Sequence, residues 1–238
     1  MRIPIVKNKS FFLGIAGNIG AGKTLLTREL SKRTNWHAYY EPVIDNPYLD
    51  DFYADMDRWS FHLQIFFLSK RFQAQKSMLE ANVSFIQDRT IYEDAEVFAR
   101  TLNRLGHLCD RDYANYKALF DTMLEFIRPP DLVIFLKAKP ESLLGRIRNR
   151  GRESEKSITL DYLRILDDAY EEWLERAKRI TSLHILDTDL VNLVEEKHRV
   201  DEIAEFILAH NSVSFKTLAG YEDVPCAGRG QGGCDNKA

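Results

Sequence analysis

Eight consecutive residues near the start of the chain, Gly17-Asn18-Ile19-Gly20-Ala21-Gly22-Lys23-Thr24, match the pattern G-x-x-x-x-G-K-[ST]. That pattern suits the holding of a chain of phosphates. Glycines let the backbone curl until successive N–H groups point at one anion, and a helix starting after Gly22 adds the positive end of its dipole. In such a loop the lysine, here Lys23, bridges the outer phosphates, and the hydroxyl of Thr24 ligates Mg²⁺. A short apolar run, Phe11–Ala16, precedes the loop and a helical pattern follows it, which is the context the motif requires. These residues predict a nucleoside triphosphate site with ATP and Mg²⁺ as its cofactors.

The loop alone does not choose among GTPases, motor ATPases and small-molecule kinases. The Asn-Lys-x-Asp element that reads guanine is absent after any suitable strand. A kinase acting on a hydroxyl needs a base near the phosphates, a cationic clamp for the migrating phosphoryl group and a cover against water. Candidates exist for all three: Glu41 and Asp88-Arg89 end apolar runs, and Arg146, Arg148, Arg150 and Arg152 cluster around an Arg-Gly-Arg turn.

These side chains must be positioned by elements that alternate along the chain. Apolar runs at about 11–16, 37–40, 83–87, 132–136 and 183–186 read as five short strands. Helical patterns fill the intervals at about 22–33, 56–80, 92–105, 111–127, 140–149, 159–180 and 195–210. Strands alternating with helices predict an α/β fold, a P-loop three-layer α/β/α sandwich around a five-stranded parallel sheet with a helical lid. Ligands of such sheets bind beyond the carboxyl ends of the strands, where Glu41, Asp88 and Asp187 fall. On the helix at about 56–80, Gln64, Phe67 and Arg71 share one stripe spanning about 10.5 Å. Gln64 offers a donor and an acceptor together, which suits a base edge.

Composition narrows the setting. The chain has 238 residues, 45% hydrophobic and 29% charged, with a net charge of −3. Bulk charge gives no case for a nucleic-acid or anionic-membrane partner. No apolar run reaches the roughly 18 residues of a membrane span. Cys109, Cys226 and Cys234 are too few for a disulfide scaffold, so a cytoplasmic enzyme is expected. Residues 1–212 read as one kinase domain. Residues 213–238, rich in glycine and poor in large apolar side chains, read as a flexible tail.

At six ordered blocks the sequence resembles the deoxyribonucleoside kinase family, most closely its bacterial deoxyadenosine-type members. The blocks are Gly17–Thr24, Glu41-Pro42-Val43, Asn46–Tyr53, Arg58–Gln64, Asp88–Asp94 and Arg146–Glu153. The resemblance implies Glu41 as the base that takes the proton from the sugar 5′-hydroxyl. It implies Arg89 as the group that binds that hydroxyl and then stabilises the transferring phosphoryl group. Asp88 would help to organise Mg²⁺. Gln64 would face the nucleobase, with Trp59 and Phe67 among the walls, although core packing explains these two aromatics equally well. Arg71 would pair with Asp94 beside the base, as in members that accept purines or cytosine. Tyr53 and Glu155 match the positions that bind the 3′-hydroxyl. Arg146, Arg150 and Arg152 fall in the lid over the phosphates, and Asp187 lies near the adenine of ATP. Thr90 stands where serine is commoner.

The implied activity is ATP-dependent 5′-phosphorylation of deoxyadenosine, with deoxycytidine or deoxyguanosine as further acceptors, by a homodimer acting in nucleotide salvage. Two alternatives stay open from sequence: a thymidylate-like monophosphate kinase, and a kinase fold retained as a non-catalytic subunit.

Overall fold

The computed structural model describes residues 10–40 and 46–218, with the backbone alone at 154 and 212–218. Glu41, Pro42 and Val43 lie outside the described residues, as does the expected tail from residue 219 onward. Five parallel strands form one sheet: β1 (Phe12–Gly17), β2 (His37–Tyr39), β3 (Phe85–Asp88), β4 (Leu132–Lys137) and β5 (Ser182–Asp187), in the order β2-β3-β1-β4-β5. The reversal of direction falls at β1, between β3 and β4. The phosphate loop and the Asp88-Arg89 turn therefore emerge side by side at the carboxyl edge.

Burial follows this order. Every residue of the central β1 and of β3 is buried, which explains their continuous apolar runs. The edge strands β2 and β5 are half-exposed. Side chains alternate between two cores. Leu13, Ile15, Ile134 and Leu136 face α1 (Lys23–Thr34) and α9 (Lys197–Leu218), while Val133 and Phe135 face the opposite layer. That layer contains α3 (Met56–Ala81), α6 (Asp110–Leu124) and α8 (Leu160–Ala177). The arrangement is the expected three-layer α/β sandwich.

Helix boundaries trace to local chemistry. Asp55 caps α3 by accepting the Arg58 N–H, and Thr159 caps α8 by accepting that of Tyr162. Helix α7 (Pro140–Arg150) starts at a proline and stops at Gly151, whose φ of 69° is left-handed. Three features differ from the sequence expectation. A short helix α2 (Leu49–Ala54) precedes α3, and a 3₁₀ turn occupies Glu153–Glu155. The helix expected at 92–105 is α4 (Ile91–Glu93), a π-helical turn Asp94–Ala99 and α5 (Arg100–Arg104), running on without a break. Helix α9 also continues beyond residue 210, to Leu218.

Two glycines of the loop are conformationally necessary. Gly17 has φ +146°, and a Cβ there would stand 2.8 Å from the Leu136 carbonyl oxygen; Gly20 has φ +84° with Ile147 Cγ1 at 3.0 Å. Gly17→Ala is expected to cost about 1–3 kcal/mol. Urea denaturation monitored by tryptophan fluorescence measures it, and an unchanged midpoint would contradict this reading of the loop.

Candidate active site

The loop carries its anion-binding equipment into α1. Gly22, the N-cap of α1, has φ 99°, and its first turn has no side-chain cap, so the opening N–H groups face the loop rather than a protein acceptor. Lys23 is buried and donates to the carbonyl oxygens of Gly17 (2.9 Å) and Asn18 (3.0 Å), lying back across its own loop. Asn18 braces the loop from outside by donating to the Leu163 carbonyl of α8 (2.9 Å) and accepting from the Ile19 N–H.

The Asp88-Arg89 turn lies beside it. Thr24 Oγ1 and Asp88 Oδ2 are 2.5 Å apart, joined by the hydroxyl proton. These are hard oxygen donors at the mouth of a phosphate loop, which fits Mg²⁺, a cation that takes few protein ligands and fills its octahedron with phosphate oxygens and water. Among the described residues no group of three or more acidic, histidine or cysteine side chains forms a metal cage, as expected if the nucleotide brings most of the ligands.

Arg89 is left-handed at φ 64°, an uncommon conformation for a long side chain. Its N–H still extends the ladder to the Ile15 carbonyl (3.0 Å), and its guanidinium stacks 4.0 Å from the ring centre of Phe98. The turn is held from beneath by Arg71. That guanidinium is fully buried; it pairs through Nε with Asp94 Oδ2 and donates from Nη1 to the carbonyls of Asp88 and Arg89, both at 3.2 Å. Phe67 covers it, with the Arg71 Cζ 5.4 Å from the ring centre.

A cleft of about 700 Å³ joins these groups. Lys23, Thr24 and Arg89 line it together with Gln64, Phe67 and Asp94, and Tyr53, Arg150, Arg152 and Glu155 complete the lining residues expected from the sequence. Gln64 lines the cleft, and its carbonyl oxygen is buried without a hydrogen-bond partner among the described residues. Glu155 is buried between two arginines: Arg150 reaches Oε2 from Nη2 (2.6 Å) and Nε (3.0 Å), and Arg152 reaches Oε1 (3.1 Å). Tyr162 also lines the cleft, and burial pushes its phenol up to about 12, so it stays neutral.

A second depression of about 480 Å³ opens on the other side of Gly20 and Gly22. Arg146 shapes it, donating to Thr188 Oγ1 (2.8 Å), the Thr188 carbonyl (2.7 Å) and Asp189 Oδ1 (3.0 Å).

The structure thus gathers Lys23, Thr24, Arg89, Tyr53, Gln64, Phe67, Asp94, Arg150, Arg152 and Glu155 around one cleft, with Asp88 outside the lining and joined to it through the Thr24 hydroxyl. Several expected residues stand elsewhere. Arg71 lies below the cleft floor, with Asp94 at the surface between it and the cavity. Trp59 packs against Tyr48 and His62 outside the cleft lining. Asp187 accepts the Asp189 N–H (2.9 Å) and so shapes the loop, while Thr188 and Asp189 line the second depression. Sequence reasoning passed over Phe98, because only the π-helical turn brings it under Arg89, and over the capping box in which Thr90 and Glu93 bond each other reciprocally.

A phosphate loop at the switch point of a parallel sheet, with an arginine-lined cleft beside it, defines a phosphoryl-transfer enzyme of the α/β class. A family model described as deoxynucleoside kinase matches residues 13–211, and the chain belongs to that family. It is 40% identical over 204 residues to the deoxyadenosine/deoxycytidine kinase of Bacillus subtilis, a match covering 84% of this chain and 94% of that protein. It is 48% identical over 167 residues to the deoxyadenosine kinase of Dictyostelium discoideum, covering 70% of this chain and 68% of the other. Among solved structures, the deoxyadenosine kinase of M. mycoides with the products dCMP and a flexible dCDP bound superposes with a TM-score of 0.75 at 27% identity, over 84% of this chain and 100% of that one.

Arg71→Met leaves Asp94 buried without its guanidinium and is expected to cost about 3–5 kcal/mol. Adding Asp94→Leu recovers most of that stability. Turnover stays low in the double variant, because the Asp88 and Arg89 carbonyls still lack their donor. Denaturation midpoints and steady-state rates on the single and the double variant check this, and full recovery of turnover would show that the tie to the turn is dispensable.

Proposed function

We propose that the chain transfers the terminal phosphoryl group of ATP to the 5′-hydroxyl of a deoxyribonucleoside, with deoxyadenosine the favoured acceptor and deoxycytidine or deoxyguanosine accepted too, as a step of nucleotide salvage. The observation that carries this reading is one cleft lined both by phosphate-binding groups and by an unpartnered amide oxygen and a buried acid. Gln64 and Asp94 accept from the exocyclic amine of the base. Both features suit adenine and cytosine, whose exocyclic amines donate. Relatives named for deoxyadenosine and deoxycytidine support the same preference.

The donor nucleotide lies across Gly20 and Gly22, its base toward Arg146, Thr188 and Asp189. Lys23 leaves the Gly17 and Asn18 carbonyls for the phosphate oxygens. Thr24 and Asp88 would hold Mg²⁺, which supplies charge neutralisation across the phosphates when bound. Arg89, which lines the acceptor cleft with Lys23 and Thr24, binds the acceptor hydroxyl and then the transferring phosphoryl group. Glu41 takes the hydroxyl proton; its neighbour Tyr40 lines the acceptor cleft, which supports this role. Arg150 and Arg152 close over the phosphates and exclude water. Tyr53 and Glu155 receive the 3′-hydroxyl. A homodimer belongs to the same reading, with α3, which carries the half-buried Phe61, Ile65 and Phe72, in its interface.

Glu41→Ala is expected to lower kcat for deoxyadenosine by about 10²–10⁴-fold, the usual worth of a positioned base. Coupled-enzyme assay with ATP and Mg²⁺ measures it, run beside deoxyadenosine monophosphate as acceptor. Faster turnover of the monophosphate would favour the thymidylate-like alternative, and no turnover of any nucleoside would favour the non-catalytic one. Glu155→Gln is expected to raise KM for deoxyadenosine roughly tenfold, a loss of about 1.4 kcal/mol. The variant should no longer distinguish deoxyadenosine from its 3′-deoxy analogue; retained discrimination would place the 3′-hydroxyl elsewhere.

A further inference from the structure

Directly beneath the phosphate loop sits an acid that the reaction scheme does not use. Glu93 is fully buried, and its Oε2 accepts from the Thr90 N–H (2.8 Å) and hydroxyl (3.2 Å). Its Oε1 lies 3.0 Å from the Tyr170 hydroxyl and 3.3 Å from the Gly17 N–H. The Tyr170 hydroxyl in turn lies 2.8 Å from the Gly17 carbonyl oxygen, to which Lys23 also donates.

Proton counting on this chain is informative. A tyrosine hydroxyl has one proton, and the Gly17 carbonyl can only accept. If Tyr170 donates to Gly17, its contact with Glu93 needs a proton from the carboxyl. If Tyr170 donates to Glu93 instead, two oxygens 2.8 Å apart face each other with no proton between them. One additional proton, on Glu93 Oε1, satisfies both contacts and leaves Oε2 as the acceptor for Thr90.

We propose that Glu93 is a protonated, neutral carboxyl in the folded protein and a positioning residue for the phosphate loop, acting through Tyr170 on the Gly17 peptide. Two consequences follow from the connectivity. Because Tyr170 holds the Gly17 carbonyl, Lys23 can leave that oxygen for a phosphate without orphaning it. An ionised Glu93 would instead place a negative charge at the Gly17 N–H, against the polyanion the loop must bind. Burial raises the Glu93 carboxyl above the ordinary carboxylate range, against the pull of Arg89, of the Thr90 N–H, of Lys23 and of the Tyr170 hydroxyl. Those are the charged and titratable groups that act on it from β3's end, α1 and α8. With the folded value raised, the stability linked to this group is complete below the ordinary glutamate value and is lost as pH rises through the folded value.

The inference rests on the reading of Gly17–Thr24 as a triphosphate site, so the first measurement uses no nucleotide. Infrared spectroscopy of the nucleotide-free protein at neutral pH should show the carbonyl band of a protonated carboxylic acid. Glu93→Gln, whose amide mimics the neutral acid, should remove the band. Tyr170→Phe should shift its frequency, which identifies the band even if the first variant does not fold. A spectrum with no such band, or a band unmoved by both changes, overturns the proposal. The second measurement is ATP binding by calorimetry across the alkaline range. Wild-type affinity should fall by about fivefold or more as Glu93 ionises, and that of Glu93→Gln should stay flat over the same range. Equal pH dependence in both proteins overturns the link to the loop. A protein that shows the band but phosphorylates no nucleoside would sink the functional reading and leave the protonation state standing.

Discussion

The buried guanidinium of Arg71 is the constraint on which the site depends. A charge so placed is tolerable only when fully hydrogen-bonded, and here two elements supply three acceptors: the π-helical turn through Asp94, and the end of β3 through the carbonyls of Asp88 and Arg89. Because α3 carries Arg71, one side chain ties the layer that carries Gln64 and Phe67 to the turn that carries Asp88 and Arg89. The left-handed Arg89 is strained, and Arg71 is the donor that fixes the peptides on either side of it. In the proposed reading, base recognition and phosphoryl transfer are thereby mechanically linked through a residue outside the cleft lining.

Charge is distributed to the same end. The chain as a whole carries −3, yet Lys23, Arg89, Arg150 and Arg152 converge on the acceptor cleft and Arg146 on its neighbour. Several of these cations bond internal acceptors: Lys23 the loop carbonyls, Arg150 and Arg152 Glu155. Such pairing lowers the cost of holding several cations near one another and leaves each with a bond to exchange when a polyanion arrives. The two lid arginines are about one-third exposed, so the Glu155 contacts are screened and exchangeable, unlike the buried pair under the turn.

Much of this was legible in the sequence, for identifiable reasons. The strand runs at β1, β3 and β4 were readable because both faces of those strands are buried. The edge strands β2 and β5 were placed by their turn residues and by spacing. The phosphate loop was legible because glycine, lysine and threonine at that spacing have one shared physical use. Arg71 was found as the partner of Asp94, but its bonds to two backbone carbonyls were invisible, since sequence patterns carry no trace of which carbonyl a buried guanidinium will meet. The stripe on α3 that includes Ser60, Gln64, Arg71 and Gln75 is buried and yet polar, so a search for apolar periodicity undervalues it. Trp59 is a wall of the base site only by resemblance, and core packing explained it equally well; here it packs against Tyr48 and His62, outside the cleft lining. A π turn depends on one extra residue per turn, and nothing in the composition of Asp94–Ala99 announces it.

Glu93 and Asp94 show how far partners outrank residue type. They are adjacent acids, both essentially without solvent exposure, and the same desolvation acts on each. Asp94 meets a guanidinium directly, so its charge is matched at contact distance. The hydrogen-bond partners of Glu93 are all neutral, a peptide N–H on either side and two hydroxyls, while the cations Arg89 and Lys23 act on it only through space. A carboxylate in that position would gain too little to offset its dehydration, so the proton stays. The turn from α-helical to π-helical geometry begins between these two residues, sending one acid toward α3 and the other toward the phosphate loop. One step along the backbone thus separates a guanidinium-paired acid on the wall of the base site from a neutral one that holds the loop for the phosphates.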